Sequence, residues 1–315
     1  MIDPHVHLRD WNQRDKETMA HGMRAASCIG IDALFEMPNT DPALTTRLLI
    51  EKRIVDAQKV IETMEESITY GLYAGLTADS KQRSEVLQAY RDLFPKVIGY
   101  KLFAGHSTGH MGMTTYDQQL AVYRQFTDEG YRGILAVHCE KESLLHPELW
   151  DPANPISHSA ARPVIAEVAS VADQIRAASE TGFLGILHIC HVSSPETIRY
   201  IEQIRRTKRI PCIITCGVTP HHVLLSVEDV VDTGNLVKMN PPLRDQGSQR
   251  ELYKMLLEGR IDWIESDHAP HTLKDKEAGA SGIPGFGGYG RLVRSLIDDG
   301  ISEDKLAQLT GERFK

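Results

Sequence analysis

The sequence predicts a parallel α/β fold, an eight-stranded (β/α)8 barrel of the TIM type. Eight short segments rich in Val, Ile, Leu or Ala alternate with amphipathic helical segments, which is typical of parallel β/α architecture. The chain has 315 residues, and barrels of this kind are typically about 250 residues long, with longer examples arising from insertions. Polar residues gather directly after the predicted strands, the end of such a barrel where active sites lie.

The predicted strands are short apolar segments bounded by Gly, Pro, Asp or helical sequence. They cover residues 2–8, 33–37, 69–76, 97–103, 134–139, 184–192, 212–218 and 262–266. Helices are predicted at residues 48–63, 163–181 and 195–207, the last opened by a Ser-Ser-Pro start signal. An open doubly wound sheet is less favoured, because no Gly-rich turn follows the first strand. We expect residues 1–315 to form a single domain.

Composition excludes several classes of function. A net charge of −8, with 41% hydrophobic and 25% charged residues, indicates a soluble globular protein without a nucleic-acid-binding or anionic-membrane-binding surface. The apolar runs are too short to span a bilayer, and the chain as given begins without a signal-peptide pattern. Five cysteines, an odd number with no CxxC spacing, predict free thiols and a cytoplasmic location.

The first predicted strand carries a polar face. His5, His7 and Arg9 are spaced two residues apart, so in a strand they project to the same side. Two imidazoles make half of a metal site, and a guanidinium can hold a carboxylate. Taken alone, the two histidines are explained equally well by packing in the core. The further polar residues at the ends of other predicted strands favour a metal site.

Further polar groups stand at the ends of other predicted strands. His138 ends strand five, His188 and His191 lie in strand six, and Asp267 follows strand eight. Imidazole and carboxylate groups suit zinc and related divalent ions. Two metals need a bridging group that these side chains do not provide. Spacing alone assigns Lys101, in strand four, to the surface or to an ion pair.

Seven motifs make the sequence similar to the dihydroorotases of the amidohydrolase superfamily. In order along the chain they are Asp3-Pro4-His5-Val6-His7-Leu8-Arg9, Met37-Pro38-Asn39-Thr40, Tyr100-Lys101-Leu102-Phe103, Val137-His138-Cys139-Glu140, His188-Ile189-Cys190-His191-Val192-Ser193, Asn240-Pro241-Pro242-Leu243-Arg244 and Asp267-His268-Ala269-Pro270-His271. The histidine pair and the strand-eight Asp occur across the superfamily, whereas the His-Leu-Arg, Met-Pro-Asn and Asp-His-Ala-Pro-His combination is more specific. The resemblance implies the interconversion of (S)-dihydroorotate and N-carbamoyl-L-aspartate in pyrimidine biosynthesis.

The resemblance also implies two zinc ions per chain. One zinc would be held by His5, His7 and Asp267, and the second by His138 and His191. Lys101 would be N-carboxylated, so that its carbamate oxygens bridge the metals. Some family members carry an Asp in this part of the site, and the Lys-Leu-Phe context here resembles the lysine type. Strand parity lets only one of His188 and His191 face inward, and the family motif favours His191.

The resemblance assigns Asp267 as the general acid and base. A metal-bridging hydroxide would attack the ring amide, and Asp267 would pass its proton to the leaving ring nitrogen. Contacts to substrate would come from Arg9, Asn39 and His271 for the carboxylate, and from Asn240 and the backbone near Pro284 and Gly285 for the ring amides. The loop 105–113 has the composition of a mobile lid with Ser107 and Thr108 touching substrate, or of an ordinary surface loop.

Other readings of the sequence stay open at this point. A hydantoinase or an allantoinase would share the metal site but generally lacks an Arg two residues after the second His. A non-catalytic dihydroorotase-like subunit of an aspartate carbamoyltransferase complex is expected to have lost metal ligands. The resemblance further implies a homodimer and an association with aspartate carbamoyltransferase. It also implies that most of the small β-sandwich of relatives is missing.

Overall fold

The computed structural model describes residues 1–107, 111–207 and 209–311. Its eight strands form one sheet in which neighbours in sequence are neighbours in space, and every pair is parallel. The strands are β1 Ile2–Val6, β2 Ala33–Glu36, β3 Thr69–Gly75, β4 Val97–Ala104, β5 Ile134–Cys139, β6 Ile186–Ile189, β7 Ile213–Val218 and β8 Trp263–Ile264.

The two edges of this sheet meet. Val6 forms a parallel bridge with His268, just beyond β8. The backbone N–H of His7 donates to the carbonyl oxygen of His268 over 2.8 Å. These contacts bring the sheet to a nearly closed barrel, which confirms the predicted fold class.

The strands alternate with helices over most of the chain. Those in the described ranges are α1 Met19–Ser27, α2 Arg47–Ile61, α3 Ser80–Leu93, α4 Tyr116–Asp128, α5 Ser157–Ala161, α6 Val164–Thr181, α7 Pro195–Thr207, α8 Pro220–Leu224, α9 Val230–Thr233, α10 Gln246–Leu257, α11 Leu273–Glu277, α12 Phe286–Asp298 and α13 Glu303–Leu309. Polar N-caps set several starts; for example, Thr46 accepts from the Leu49 amide at the start of α2. The three predicted helices correspond to α2, α6 and α7, with bounds within two residues.

Strands β1, β6 and β8 end earlier than the sequence predicts. A left-handed residue follows each of them within three residues, since Arg9, His191 and Asp267 have φ values of 55°, 36° and 44°. These positive values place non-glycine residues in the left-handed region, which strands do not use. The apolar runs therefore continue past the end of the regular strand.

The hydrophobic core has two parts. The larger one joins strand residues such as Leu34 and Leu72 to helix residues such as Ile50 and Val86. A smaller cluster of strand and strand-end residues, including Tyr73, fills the interior of the barrel. In the part of the chain that the structure describes, no helix has both the length and the apolar character needed to cross a membrane.

Candidate active site

A cavity opens at the carboxyl ends of the strands. All six predicted metal ligands contribute to its wall, together with four of the predicted substrate contacts. Its lining comprises His5, His7, Arg9, Asn39, Lys101, Phe103, Ser107, His138, His191, Met239, Asn240, Asp267, Ala269, Ser281 and Gly282. The barrel topology brings these groups together although they are spread from residue 5 to residue 282.

The first candidate metal group is formed by His5, His7 and Asp267. The Nε2 atoms of the two histidines lie 3.4 and 3.0 Å from Oδ1 of Asp267. All three side chains are buried, and one ligand atom from each lies within 4.8 Å of the others. Two imidazole nitrogens and a carboxylate oxygen at this spacing are a donor set that suits zinc.

The second candidate group is formed by two buried histidines. His138 Nδ1 lies 3.1 Å from His191 Nε2, so the two rings present nitrogen atoms to the same point. The other ring nitrogen of His138 donates to Glu140 Oε2 over 2.9 Å. A carboxylate behind a histidine fixes the tautomer that leaves the opposite nitrogen free for a metal.

Lys101 lies inside the barrel and not on the surface. Its side chain is fully buried, and its Nζ is 3.1 Å from Cys190 Sγ. Burial raises the pKa of the Cys190 thiol to about 12, so this partner is neutral. Among the described residues no carboxylate lies within 4.0 Å of Lys101 Nζ. An ammonium group buried in this way is costly, and conversion to a carbamate would remove its positive charge.

The four histidines of the two candidate metal groups are neutral, which is the form that binds a metal. Burial lowers the pKa of His5 to about 4. Burial also lowers the pKa values of His7 and His138, and it takes the pKa of His191 well below its usual range. Asp267 is ionised: burial alone would raise its pKa, but the neighbouring His5 and His7 hold that pKa below the usual range. Metal binding requires these protonation states.

Two buried carboxylates that support the ligands were missed by the sequence analysis. Glu265 Oε2 lies 3.3 Å from both His5 Nδ1 and His188 Nε2, and Glu140 supports His138. The signal available for Glu265 was its position in the sequence, two residues before Asp267 at the end of the predicted eighth strand. His188 also contacts Thr215 over 2.9 Å and is not part of the cavity lining.

Arg9 occupies the substrate side of the cavity. Its Nε donates to the carbonyl oxygen of Pro270 over 3.0 Å, and its Nη2 lies 3.2 Å from His271 Nε2. Within the described ranges no carboxylate oxygen comes within 4.0 Å of the guanidinium. Burial lowers the pKa of Arg9 only to about 10, so the group stays charged at neutral pH.

Asn240 offers a hydrogen-bond donor to the cavity. Its Oδ1 is engaged by His158 Nε2 at 2.9 Å and by Ser281 Oγ at 3.1 Å. The amide nitrogen is therefore the group left for a ligand carbonyl. Ser281 was not singled out from the sequence, since no motif there contains it, and His158, expected at the surface from its place in a helical or loop segment, is buried.

Two predicted substrate contacts are placed differently, and a third, His271, contacts Arg9 without being part of the described lining. Pro284 and Gly285 are not part of the lining as described, and this part of the wall is formed by Ser281 and Gly282. The Gly285 amide instead donates to His268 Nδ1 over 3.2 Å. Thr108 lies outside the described residues, whereas Ser107 lines the cavity.

The sequence is similar to proteins named as dihydroorotases. It is 32% identical over 303 residues to the one from Pyrococcus horikoshii, covering 96% of this chain and 61% of that protein. It is 31% identical over 313 residues to the one from Lactobacillus acidophilus, covering 98% of this chain and 69% of that protein. The chain belongs to the dihydroorotase family. No family model matches it.

The fold of this dihydroorotase-family chain is also that of solved cyclic amide hydrolases. The L-hydantoinase (dihydropyrimidinase) from Arthrobacter aurescens superimposes with a TM-score of 0.84 at 22% identity, covering 98% of this chain and 68% of that one. Such identity supports the fold alone. The chain spans about three-fifths, 59–63%, of the length of the first three dihydroorotase relatives.

Proposed function

We propose that the chain is a metal-dependent dihydroorotase that interconverts (S)-dihydroorotate and N-carbamoyl-L-aspartate. The observation that carries this proposal is the position of Arg9. Its charged guanidinium lines the same cavity as the six candidate metal ligands, with no protein carboxylate in ion-pair distance among the described residues. A substrate carboxylate is the partner that such a group would hold, in a bidentate contact.

The donor set supports a centre of two zinc ions. His5, His7 and Asp267 would hold one ion, His138 and His191 the other, and Lys101 would bridge them as its N-carboxylated form. The fit rests on the buried ammonium of Lys101, whose hydrogen-bond partner among the described residues is a thiol, and on two groups of converging nitrogen and oxygen atoms. When bound, the ions would polarise the scissile amide carbonyl and lower the pKa of a water molecule.

Asp267 moves the proton in the proposed reaction. Its ionised carboxylate accepts a proton from the attacking water and then donates it to the ring nitrogen as the amide C–N bond breaks. The water oxygen becomes part of the new carboxylate, and the ring nitrogen becomes the terminal NH2 of the carbamoyl group. In the direction of ring closure the same carboxylate carries the proton back.

The remaining side chains orient the ring. Arg9, Asn39 and His271 would hold the substrate carboxylate, and the amide nitrogen of Asn240 would donate to a ring carbonyl. Ser281 and Gly282 take the place in the wall that we had expected of Pro284 and Gly285. Holding the ring at several points fixes the scissile amide in one orientation, which lowers the entropic part of the barrier.

A substrate panel tests the proposal. Zinc-loaded protein is assayed with dihydroorotate, hydantoin and allantoin, with Lys101→Ala as the matched variant that lacks the bridging group. We expect turnover of dihydroorotate well above that of the two uncharged rings, and its loss in the variant. Preference for hydantoin or allantoin would assign the chain to the neutral cyclic amide hydrolases. Protein that retains no zinc and turns over none of the three rings would favour the non-catalytic subunit.

Three further proposals concern the protein as a whole. We propose that residues 1–315 act as one domain, that the protein is a cytoplasmic homodimer, and that it associates with aspartate carbamoyltransferase. The family resemblance supports the homodimer and the association with the transferase, and the free cysteines support the cytoplasmic location. Light scattering on the purified protein, with and without the transferase, measures both assemblies.

A further inference from the structure

A fully buried ion pair lies behind the turn that carries Arg9. Arg53 of α2 and Glu36 of β2 are both inaccessible to solvent. Arg53 Nε donates to Glu36 Oε2 over 2.8 Å, and Arg53 Nη2 donates to Glu36 Oε1. Tyr70 also donates its hydroxyl to Glu36. Neither member of the pair is part of the described cavity lining, so the proposed reaction does not use them directly.

Both members of the pair also bind the main chain next to Arg9. Glu36 Oε1 accepts from the backbone N–H of Leu8 over 3.2 Å. Arg53 Nη2 donates to the carbonyl oxygen of Arg9 over 2.6 Å. Regular pairing between β1 and β2 ends at Val6 and Glu36. Beyond the end of this pairing, the side chains of Glu36 and Arg53 therefore hold the main chain of residues 8 and 9 in place of hydrogen bonds between the strands.

The segment held in this way has an unusual backbone. Arg9, Asp10 and Trp11 have φ values of 55°, 65° and 52°, so three successive non-glycine residues are left-handed. Such conformations are disfavoured and persist only where surrounding contacts impose them. Helix α2 supplies contacts at both ends of the run, since Asp56 accepts from the Trp11 indole over 3.0 Å and Arg53 binds the Arg9 carbonyl.

The direction of this turn decides where the Arg9 guanidinium lies. Strand β1 has already ended, so strand alternation does not aim the side chain. From a left-handed main chain at residue 9, the guanidinium reaches Pro270 and His271 in the segment after β8. Relaxation of residue 9 to an ordinary negative φ would swing the side chain away from these partners.

We propose that Arg53 and Glu36 are positioning residues for Arg9, which hold its strained turn from behind so that its guanidinium meets the substrate carboxylate. This inference rests on the proposed function for the identity of the ligand. The pair acts through the backbone of residues 8 and 9 and touches no reacting atom. Its loss should therefore weaken carboxylate binding while leaving the metal ligands and the chemical step in place.

Arg53→Lys is the test variant, because lysine keeps the charge but lacks the planar fork that reaches Glu36 and the Arg9 carbonyl together. We expect KM for dihydroorotate to rise about tenfold, with kcat within about twofold and zinc content unchanged. Tyr70→Phe is the matched control, since it removes one contact to Glu36 but none to residues 8 and 9. It should leave KM within about twofold of the wild-type value.

A double-mutant cycle separates positioning from general destabilisation. If Arg53 acts through Arg9, Arg53→Lys should change KM by less than about twofold in an Arg9→Lys background. Independent, multiplying effects of the two substitutions would overturn the inference. So would an Arg53→Lys effect no larger than that of Tyr70→Phe.

Hydrogen exchange provides a readout that does not need activity. Amide exchange of peptides covering residues 8–12 should be at least about fivefold faster in Arg53→Lys than in the wild type or in Tyr70→Phe. The double variant Glu36→Gln/Arg53→Met removes both charges, avoids an unpaired buried charge, and should show the same acceleration. Unchanged exchange in both variants would overturn the inference. If the wild type does not hydrolyse dihydroorotate, the proposed function fails. The hydrogen-exchange comparison then still tests whether Arg53 and Glu36 hold the turn at Arg9.

Discussion

At the scale of single residues, three of the five left-handed non-glycine residues in the described ranges lie at the candidate site. Arg9, His191 and Asp267 are non-glycine residues with positive φ, and all three line the candidate site. Such conformations cost free energy, of order 1–3 kcal/mol each, and are retained where the surrounding structure imposes them. The strain turns the chain sharply at the strand ends, so that side chains from separate strands reach one cavity.

The role of Arg9 is testable by its most conservative replacement. Arg9→Lys keeps a positive charge but cannot bind a carboxylate in a bidentate manner. We expect kcat/KM for dihydroorotate to fall by the equivalent of about 2–4 kcal/mol, as for the loss of a buried charged hydrogen bond. Zinc content, measured by atomic spectroscopy, should not change. Unaltered dihydroorotate hydrolysis would remove Arg9 from the substrate assignment.

At the scale of elements, two short helices hold the cavity wall. In α8, His222 Nε2 lies 3.0 Å from the carbonyl oxygen of Pro241, next to Asn240. In α11, the Lys276 ammonium donates to the carbonyl oxygens of Lys238, Ala280 and Gly282 at 2.8 to 2.9 Å. The segments after β7 and β8 are thus joined to each other, and they present Asn240, Ser281 and Gly282 to the cavity.

His222 should make the stability of this wall depend on pH. Burial lowers its pKa in the folded protein to about 4 from an ordinary value of 6.5. Between these values the unfolded chain binds a proton that the folded chain does not, so stability is lost as pH falls from 6.5 towards 4. At pH 5 this difference in protonation lowers the free energy of unfolding by roughly 2 kcal/mol relative to neutral pH.

Comparison with His222→Asn measures this contribution, because the variant has no group that titrates in that range. Urea unfolding of both metal-free proteins at pH 7.5 and pH 5 gives the difference in unfolding free energy. We expect the advantage of the wild type to shrink by roughly 2 kcal/mol at the lower pH. A difference that is independent of pH would show that His222 is not held neutral by the fold.

At the scale of the whole molecule, the candidate metal site connects opposite sides of the barrel. Its ligands come from β1 and the residue after it, from β4 and β5, and from the segments after β6 and β8, so bound ions would connect strands around most of the barrel. The closure between β1 and β8 rests on a backbone bridge and a backbone hydrogen bond beside His7 and Asp267. Metal binding and barrel stability should therefore be coupled.

Removal of the metal should lower the melting temperature of the protein. A ligand that binds only the folded state stabilises it by mass action, so chelation should reduce Tm by at least about 5 °C. Titration with zinc should restore Tm, with the end point at two ions per chain. A titration end point of one zinc ion per chain would contradict the binuclear centre. So would a Tm that does not change on chelation.

The sequence by itself determined the barrel and the set of candidate ligands. Apolar segments of strand length and amphipathic helices are local patterns, and their strict alternation leaves few arrangements besides a parallel barrel. In that arrangement the strand ends meet at one mouth. The motifs containing His5, His138 and Asp267 therefore had to approach one another, whatever the detailed packing.

The tertiary structure decided how those ligands are aimed and supported. Arg9 faces the cavity through a left-handed turn held by α2 and not through strand alternation. Glu265 lies 260 residues from the His5 that it supports, and Ser281 forms the wall that Gly285 was expected to form. A period-two pattern specifies which face of a strand a residue occupies. Such a pattern carries no information on contacts between distant segments or on residues beyond the end of a strand. Those contacts and residues determine the shape of this site.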